Sequence, residues 1–325
     1  MVYRLDAGTV IDAEGNLVIE NLYSGSVSLK TQAQGLVSGY NSGSASPNSY
    51  SNVIEKFPFS SDANATDVGD LTLSRSRLSG TSSTSHGYSA GGVGSPFANK
   101  YNNIDKFSFS VDGNATDVGD LTAEKYENAG NTSTVSGYSS GGNPVTTIGD
   151  IIQKYPFSSD ANATDVGDLT QQRRAVSGQS STTHGYASGD YDQSDNIIDK
   201  FPFSVDANAT DVGDLTEGRR STGGNSSSTH GYASGGYGST FSNIIDKFSF
   251  SSDGNATDVG DLTLGRNSMS EGANSTLSGY LSGGFVPPSP GTKNIIEKFS
   301  FSTDANATDV GDLTVEKSES AGQQV

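Results

Sequence analysis

The chain has 325 residues and sets 37 acidic side chains against 19 basic ones, a formal charge of −18 that repels nucleic acid and anionic membrane surfaces. It contains no Cys, which excludes disulfide stapling and thiolate metal sites. Only 32% of its residues are hydrophobic, no run is long enough to span a bilayer, and the opening Met1-Val2-Tyr3-Arg4-Leu5-Asp6 has no apolar stretch of signal-peptide type.

Residues 1–30 stand outside any repeat. Within them, Thr9-Val10-Ile11 and Leu17-Val18-Ile19 flank Glu14-Gly15-Asn16 and predict a hairpin. This segment is expected to dock the remainder of the chain on a larger partner, or to add a strand to the first repeat.

Residues 31–325 hold six copies of one unit. The most constant block, Asp-x-Asn-Ala-Thr-Asp-Val-Gly-Asp-Leu-Thr, begins at Asp62, Asp112, Asp160, Asp206, Asp253 and Asp304, a spacing of 46 to 51 residues. That period lies in the range of propeller blades. Each block follows a short apolar strand, such as Asn196-Ile197-Ile198-Asp199-Lys200-Phe201. Earlier in the same copy come Arg173 and the Gly178-to-Thr183 segment, then His184-Gly185-Tyr186-Ala187-Ser188-Gly189, a strand broken by glycine. Four short strands with polar turns between them predict an all-β unit, and no segment keeps a 3.6-residue apolar period.

In Lys-Phe-x-Phe the two aromatics lie two apart and share a strand face. The residue between them is Pro58, Pro156 or Pro202 in three copies and Ser in the others, so its N–H is not needed in a ladder and the position marks a strand end or a bulge. The expected core of a unit is Tyr186, Ile197, Ile198, Phe201, Phe203, Val212 and Leu215 and their equivalents. After the sixth block, the tail Val315 to Val325 aligns with Gln171 to Ser181, the first strand of a further unit. It is expected to pair with the first unit and latch a ring, which removes exposed sheet edges.

The order of these features resembles the kelch repeat. The matching residues are the opening basic positions (Arg75, Lys125, Arg173, Arg219, Arg266, Lys317) and the glycine pairs Gly91-Gly92, Gly141-Gly142, Gly235-Gly236 and Gly283-Gly284, with Gly43-Ser44 and Gly189-Asp190 departing. The tryptophan usual in kelch units is missing, and Val212 and its equivalents lie near its place. The resemblance implies a six-bladed β-propeller with four short antiparallel strands per blade, closed by the C-terminal strand. Periodicity alone also allows a β-solenoid.

Several constellations invite a chemical reading. Asp206, Asn208, Asp211 and Asp214 are spaced somewhat like a calcium loop, but the glycine and glutamate of an EF-hand are absent, and a polar turn bonding its own backbone is the stronger expectation. His86, His184 and His230 share one register before Gly-Tyr, where other copies have Ser, which spreads them around a ring instead of gathering them. The Asn-Ala-Thr triplets read as turn chemistry. Lys56, Lys106, Lys154, Lys200, Lys247 and Lys298, each after an acidic residue in most copies, are expected to form ion-pair ladders between or within blades, or a basic ring lining a channel.

What varies is the stretch between glycine pair and apolar strand: 44–51, 93–101, 143–149, 190–195, 237–242 and 285–293. These loops should gather on one face and they carry aromatics, Tyr50, Phe97, Tyr101, Tyr191, Tyr237, Phe241 and Phe285, suited to stacking on sugars or anchoring a protein. Every polar candidate recurs as a turn or strand feature, which argues against catalysis, for an enzyme needs a converging set of unlike residues. The sequence therefore predicts a non-enzymatic structural or binding protein with no cofactor, no nucleic-acid partner and no membrane insertion. In style it resembles kelch-like proteins on the virions of tailed, especially marine, phages. That implies a fibre, adhesin or decoration component, in a virion or extracellular, with other virion proteins or a host-surface protein or glycan as partners. The alternatives are a lectin-like or scaffold propeller of cellular origin and, behind it, a glycan-active enzyme.

Overall fold

The structure is a computed structural model that describes residues 3–5, 9–11, 17–19, 38–46, 49–95, 99–192, 195–268, 272–287 and 291–324. The chain divides into two units, Met1–Gly35 and Leu36–Val325. The first holds a three-stranded antiparallel sheet of Tyr3–Leu5, Thr9–Ile11 and Leu17–Ile19, with Thr9 opposite Ile19 and Ile11 opposite Leu17. The predicted turn at Glu14-Gly15-Asn16 lies outside the described residues.

The second unit is a six-bladed β-propeller, each blade a four-stranded antiparallel meander. Blade 4 shows the plan: Ser177–Ser180 innermost, then His184–Ser188, Ile197–Pro202 and Thr210–Asp214 outermost. Its third strand ends on Pro202, and those of blades 1 and 3 end on Pro58 and Pro156, where no ladder N–H is required. The ring closes as the sequence predicts. Ala321–Gln324 forms the innermost strand of blade 1, Ala321 facing Ser42 and Gln324 facing Gly39. The only α-helix among the described residues is the four-residue turn Val145–Ile148.

Neighbouring blades share their cores. Between blades 4 and 5 the buried set is Tyr186, Ile198, Leu215, Ala233, Phe248 and Ala256, with Val212 and Phe250 packed against it half-buried. Each buried apolar side chain contributes roughly 1.5–3 kcal/mol, against which stands the entropy of ordering the blade. The second Phe of Lys-Phe-x-Phe is an inter-blade residue: Phe250 stacks on Tyr186 of the preceding blade at 4.9 Å and 23°. The first Phe joins the same junction, Phe248 lying 5.5 Å from Tyr186, and its ring also covers the second strand of its own blade. A Cβ at Gly185 would stand 2.3 Å from the Phe201 ring, which is why glycine precedes that tyrosine.

The constant acidic block is a clasp between blades. Lys154 pairs with Asp206 of the next blade, Asp168 N–H donates to Asn208 Oδ1 at 3.1 Å, and Ala209 N–H donates to Asp168 O at 2.7 Å. The lysine pairing recurs at all six junctions and closes the circle through Lys298 and Asp62. The six lysines thus form a ring of inter-blade ion pairs, not a lining of a channel.

The acidic residue before each lysine points the other way, as adjacent strand residues must. Asp105, Asp199, Asp246, Glu297 and Glu55 are fully buried and pair with the opening basic residues Arg75, Arg173, Arg219, Arg266 and Lys317. Asp199 also accepts Thr170 N–H at 3.0 Å and Thr170 Oγ1–H at 2.7 Å, tying down the linker from the previous blade. Blade 3 departs from this pattern. Its third strand has Gln153, so buried Lys125 has no carboxylate partner among the described residues and donates to Ile151 O at 3.0 Å.

Candidate functional site

In each meander the loop between second and third strands leaves from the same edge as the linker from the previous blade. Isolated bridges confirm the meeting: Ser76 with Val93, Tyr126 with Asn143, Arg220 with Tyr237, Asn267 with Phe285. The variable loops therefore share one face with the linkers, and the acidic clasps lie toward the other.

At the centre of the loop face the second residue after each opening basic residue turns left-handed. These are Arg77, Glu127, Ala175, Ser221, Ser268 and Glu319, with φ of 53° to 59°. Their backbones form a closed ring of hydrogen bonds. Arg77 N–H donates to Glu319 O at 2.7 Å, Glu319 to Ser268 at 2.7 Å, and Ser268 to Ser221 at 3.0 Å. Ser221 donates to Ala175 at 2.8 Å, Ala175 to Glu127 at 2.8 Å, and Glu127 back to Arg77 at 2.9 Å. A left-handed residue without glycine costs on the order of 1–3 kcal/mol and persists only where its surroundings over-determine it. Six in a closed circle supply that constraint.

The innermost strands pack below this ring with no room for side chains at their glycines. A Cβ on Gly178 would stand 2.0 Å from Gly130 O. Above the floor is an open depression lined by the six ring residues together with Leu78, Asn128, Val176, Thr222 and Ser320. Since the backbone groups of the ring satisfy one another, the differences between blades at this centre lie in the side chains.

Those side chains break the six-fold pattern. Arg77 Nη1 donates to Glu127 Oε1 at 2.5 Å and Nε to Glu319 Oε2 at 2.9 Å. Burial works against the Arg77 charge, but Glu319 and Glu127 outweigh it and raise its pKa. Glu127 Oε2 also accepts Asn143 Nδ2 at 2.8 Å and lies 3.6 Å from Arg174. On the opposite arc stand only Ala175, Ser221 and Ser268, and the two serine hydroxyls have no hydrogen-bond partner among the described residues.

A second arc of chemistry flanks this centre. Tyr191 holds the Arg174 guanidinium 3.6 Å and the Arg220 guanidinium 4.0 Å from its ring centre. Arg220 also lies 5.1 Å from Tyr237, which meets Phe241 edge-on at 4.9 Å, and Phe241 meets Phe285 at 6.1 Å. Four of the predicted aromatics thus form one strip across blades 4 to 6. Tyr101 instead folds over Gly94 of its own loop, and Tyr50 lies in a strand, since Ser38–Ser46 and Ser49–Pro58 continue pairing through Ala45 and Tyr50. Phe97 is outside the described residues. Tyr191 is not the free stacking platform the sequence suggests, because guanidinium groups cover its ring.

The calcium candidates have separate employment. Asp206 pairs with Lys154, Asn208 bonds Asp168 N–H, and Asp211 Oδ1 accepts Gly213 N–H at 3.1 Å, while Asp214 joins the clasp through its backbone alone, its carbonyl accepting Ala256 N–H at 2.7 Å. Among the described residues no three His, Cys, Asp or Glu side chains are grouped to hold a metal ion. The histidines are local too: His184 Nδ1 bonds Thr183 Oγ1 at 2.9 Å, and burial followed by Lys200 lowers its pKa. No helix among the described residues is long and apolar enough to cross a membrane.

Reasoning from the repeat passed over Arg77, Glu127 and Glu319, although they are unmatched charged residues at equivalent positions. The signal was present: two residues after each opening basic residue the copies read Arg, Glu, Ala, Ser, Ser, Glu. No family model matches the chain, and no curated protein is significantly similar to it.

Proposed function

We propose that this chain is a non-enzymatic recognition propeller, a rigid ring presenting one non-repeating face to a protein or glycan. The observation that carries this reading is the location of the differences. The inter-blade clasps and shared cores repeat in every blade, whereas the axial residues and the second-to-third-strand loops differ and lie together. A propeller fold is compatible with a binding or scaffold role. Loops on a rigid scaffold favour recognition, because their side chains are ordered before the ligand arrives.

The same residues speak against catalysis. Glu127 and Glu319 are both engaged by Arg77, which leaves neither placed as a base beside a nucleophile. In the fuller form of this reading, the ring is a kelch-like component of a phage virion, a fibre, adhesin or decoration, and residues 1–30 attach it. The order of repeat features and the separate sheet at the N-terminus support that form. A cellular lectin-like propeller would use the same face.

The test is an array of glycans and surface proteins probed with the full chain. Binding that weakens in Tyr237→Ala and persists in Lys200→Ala, on the other face, is the expected result. Binding lost only in Lys200→Ala would place recognition elsewhere.

A further inference from the structure

Nearly every cation in the propeller is committed. Six lysines pair across blade junctions, six basic residues are buried at the blade openings, and Arg77 and Arg174 share carboxylates at the axis. Lys100, Arg220 and Lys293 are the remainder, none with an ion pair among the described residues. All three stand on the loop face: Lys100 in the blade 2 loop, Arg220 in the linker to blade 5, Lys293 where the blade 6 loop enters its third strand. Buried Lys125 aside, the positive charge without an ion pair among the described propeller residues therefore stands where the blades differ.

Of the three, Arg220 alone stands beside a second cation, Arg174. Arg174 and Arg220 flank Tyr191, close enough for their like charges to repel; the one ion pair either makes among the described residues is that of Arg174 with Glu127, already shared with Arg77 and Asn143, while the nearby Asp190 carboxylate is taken up by the backbone N–H groups of Arg174 and Tyr191. Apart from the contacts with Tyr191 and Tyr237 and the Arg174–Glu127 pair, the two guanidinium groups have no side-chain partner among the described residues, which leaves N–H groups suited to a planar or tetrahedral oxyanion. Beside it runs the half-buried strip of Tyr237, Phe241 and Phe285.

We propose that the Arg174–Tyr191–Arg220 stack is a subsite for a carboxylate or sulfate group carried on a glycan, with the aromatic strip receiving the apolar face of a neighbouring sugar. The inference rests on the loop face being the recognition surface and names the chemistry of its ligand. A dense polyanion such as duplex DNA fits poorly, since Glu127, Glu319 and the overall charge of −18 repel closely spaced phosphates. One isolated anionic group per site meets no such barrier.

Isothermal titration of the full chain with neutral cellohexaose, with the same hexamer carrying one glucuronic acid in place of one glucose, and with the same hexamer carrying one sulfate ester tests this. The two acidic probes separate a carboxylate from a sulfate source. The expected result is binding of at least one acidic hexamer over cellohexaose, weakened by added salt and reduced about tenfold in Arg220→Gln by loss of charged hydrogen bonds. Arg220→Lys should recover only part of it, because the fork geometry is lost. Equal melting temperatures would show that the variants are folded. Failure of both acidic hexamers, indifference to Arg220→Gln, or equal affinity for a short DNA duplex would overturn the proposal. Binding of cellohexaose alone would overturn it too, while leaving the recognition reading intact.

Discussion

Replacing Gln153 with Glu should stabilise the propeller, because blade 3 alone buries a basic residue without its acid. Burial pushes the Lys125 ammonium from 10.5 down to about 7, with Asp165 and Asp150 only partly opposing it. A displacement of that size corresponds to roughly 4–5 kcal/mol of lost stability at pH values where the lysine is charged in both folded and unfolded chains. The Nε2 group of Gln153 has no partner in the same pocket, which adds to the cost. A carboxylate there would reproduce the Lys317–Glu55 pair of blade 1. Since pairing must also desolvate the new charge, the net gain expected near neutral pH is about 1–3 kcal/mol.

The pH dependence has a definite sign. The folded pKa lies below the unfolded one, so between about 7 and 10.5 the unfolded chain binds more protons, and this group makes stability rise with pH. Below pH 7 the penalty is complete. Urea unfolding of both chains from pH 6 to 10 should show the advantage of Gln153→Glu greatest at pH 6 and shrinking as the original Lys125 becomes neutral. A less stable variant, or an advantage that grows with pH, would refute the reasoning.

Other consequences can be measured in the same way. Asp199→Asn leaves the buried Arg173 without its acid and should cost about 3–5 kcal/mol, whereas Lys200→Ala removes a partly exposed pair and should cost under about 1 kcal/mol. Urea midpoints compare them directly, and equal costs would contradict the buried role given to the acid. Gly178→Ala places a Cβ 2.0 Å from Gly130 O and should destabilise by roughly 2 kcal/mol or more, read as a fall in melting temperature. Removing residues 321–325 strips blade 1 of its inner strand and should lower the melting temperature by roughly 10 °C or more, with new proteolysis in Ser38–Ser46.

How much of the molecule was legible in sequence differs by layer. Closure could be read because the tail repeats the wording of an inner strand, and Pro58, Pro156 and Pro202 marked strand ends because proline removes a donor. The buried acids were harder. Asp199 beside Lys200 looks like surface alternation, and only its long-range partner Arg173, 26 residues earlier, shows that it faces inward. The axis was hardest. Arg77, Glu127 and Glu319 are far apart in the chain, so their signal shows only when the copies are aligned on the opening basic residues and the aligned positions are set around one axis. Tyr191 was found as an aromatic in a variable loop, but its role changed once Arg174 and Arg220, from two different linkers, were seen to cover it.

The central claim is that recognition belongs to the face where the blades differ. Its most direct test is a chain in which Arg77, Glu127, Arg174, Arg220 and Glu319 are all changed to Ser, the residue the ring already holds at Ser221 and Ser268. Its binding to an array of glycans and surface proteins is measured beside a chain carrying Lys106→Ala, Lys200→Ala and Lys247→Ala on the acidic face. Loss of binding in the first chain, with the ring still folded by circular dichroism, and retention in the second is the predicted result. Retention in the first and loss in the second would contradict the account.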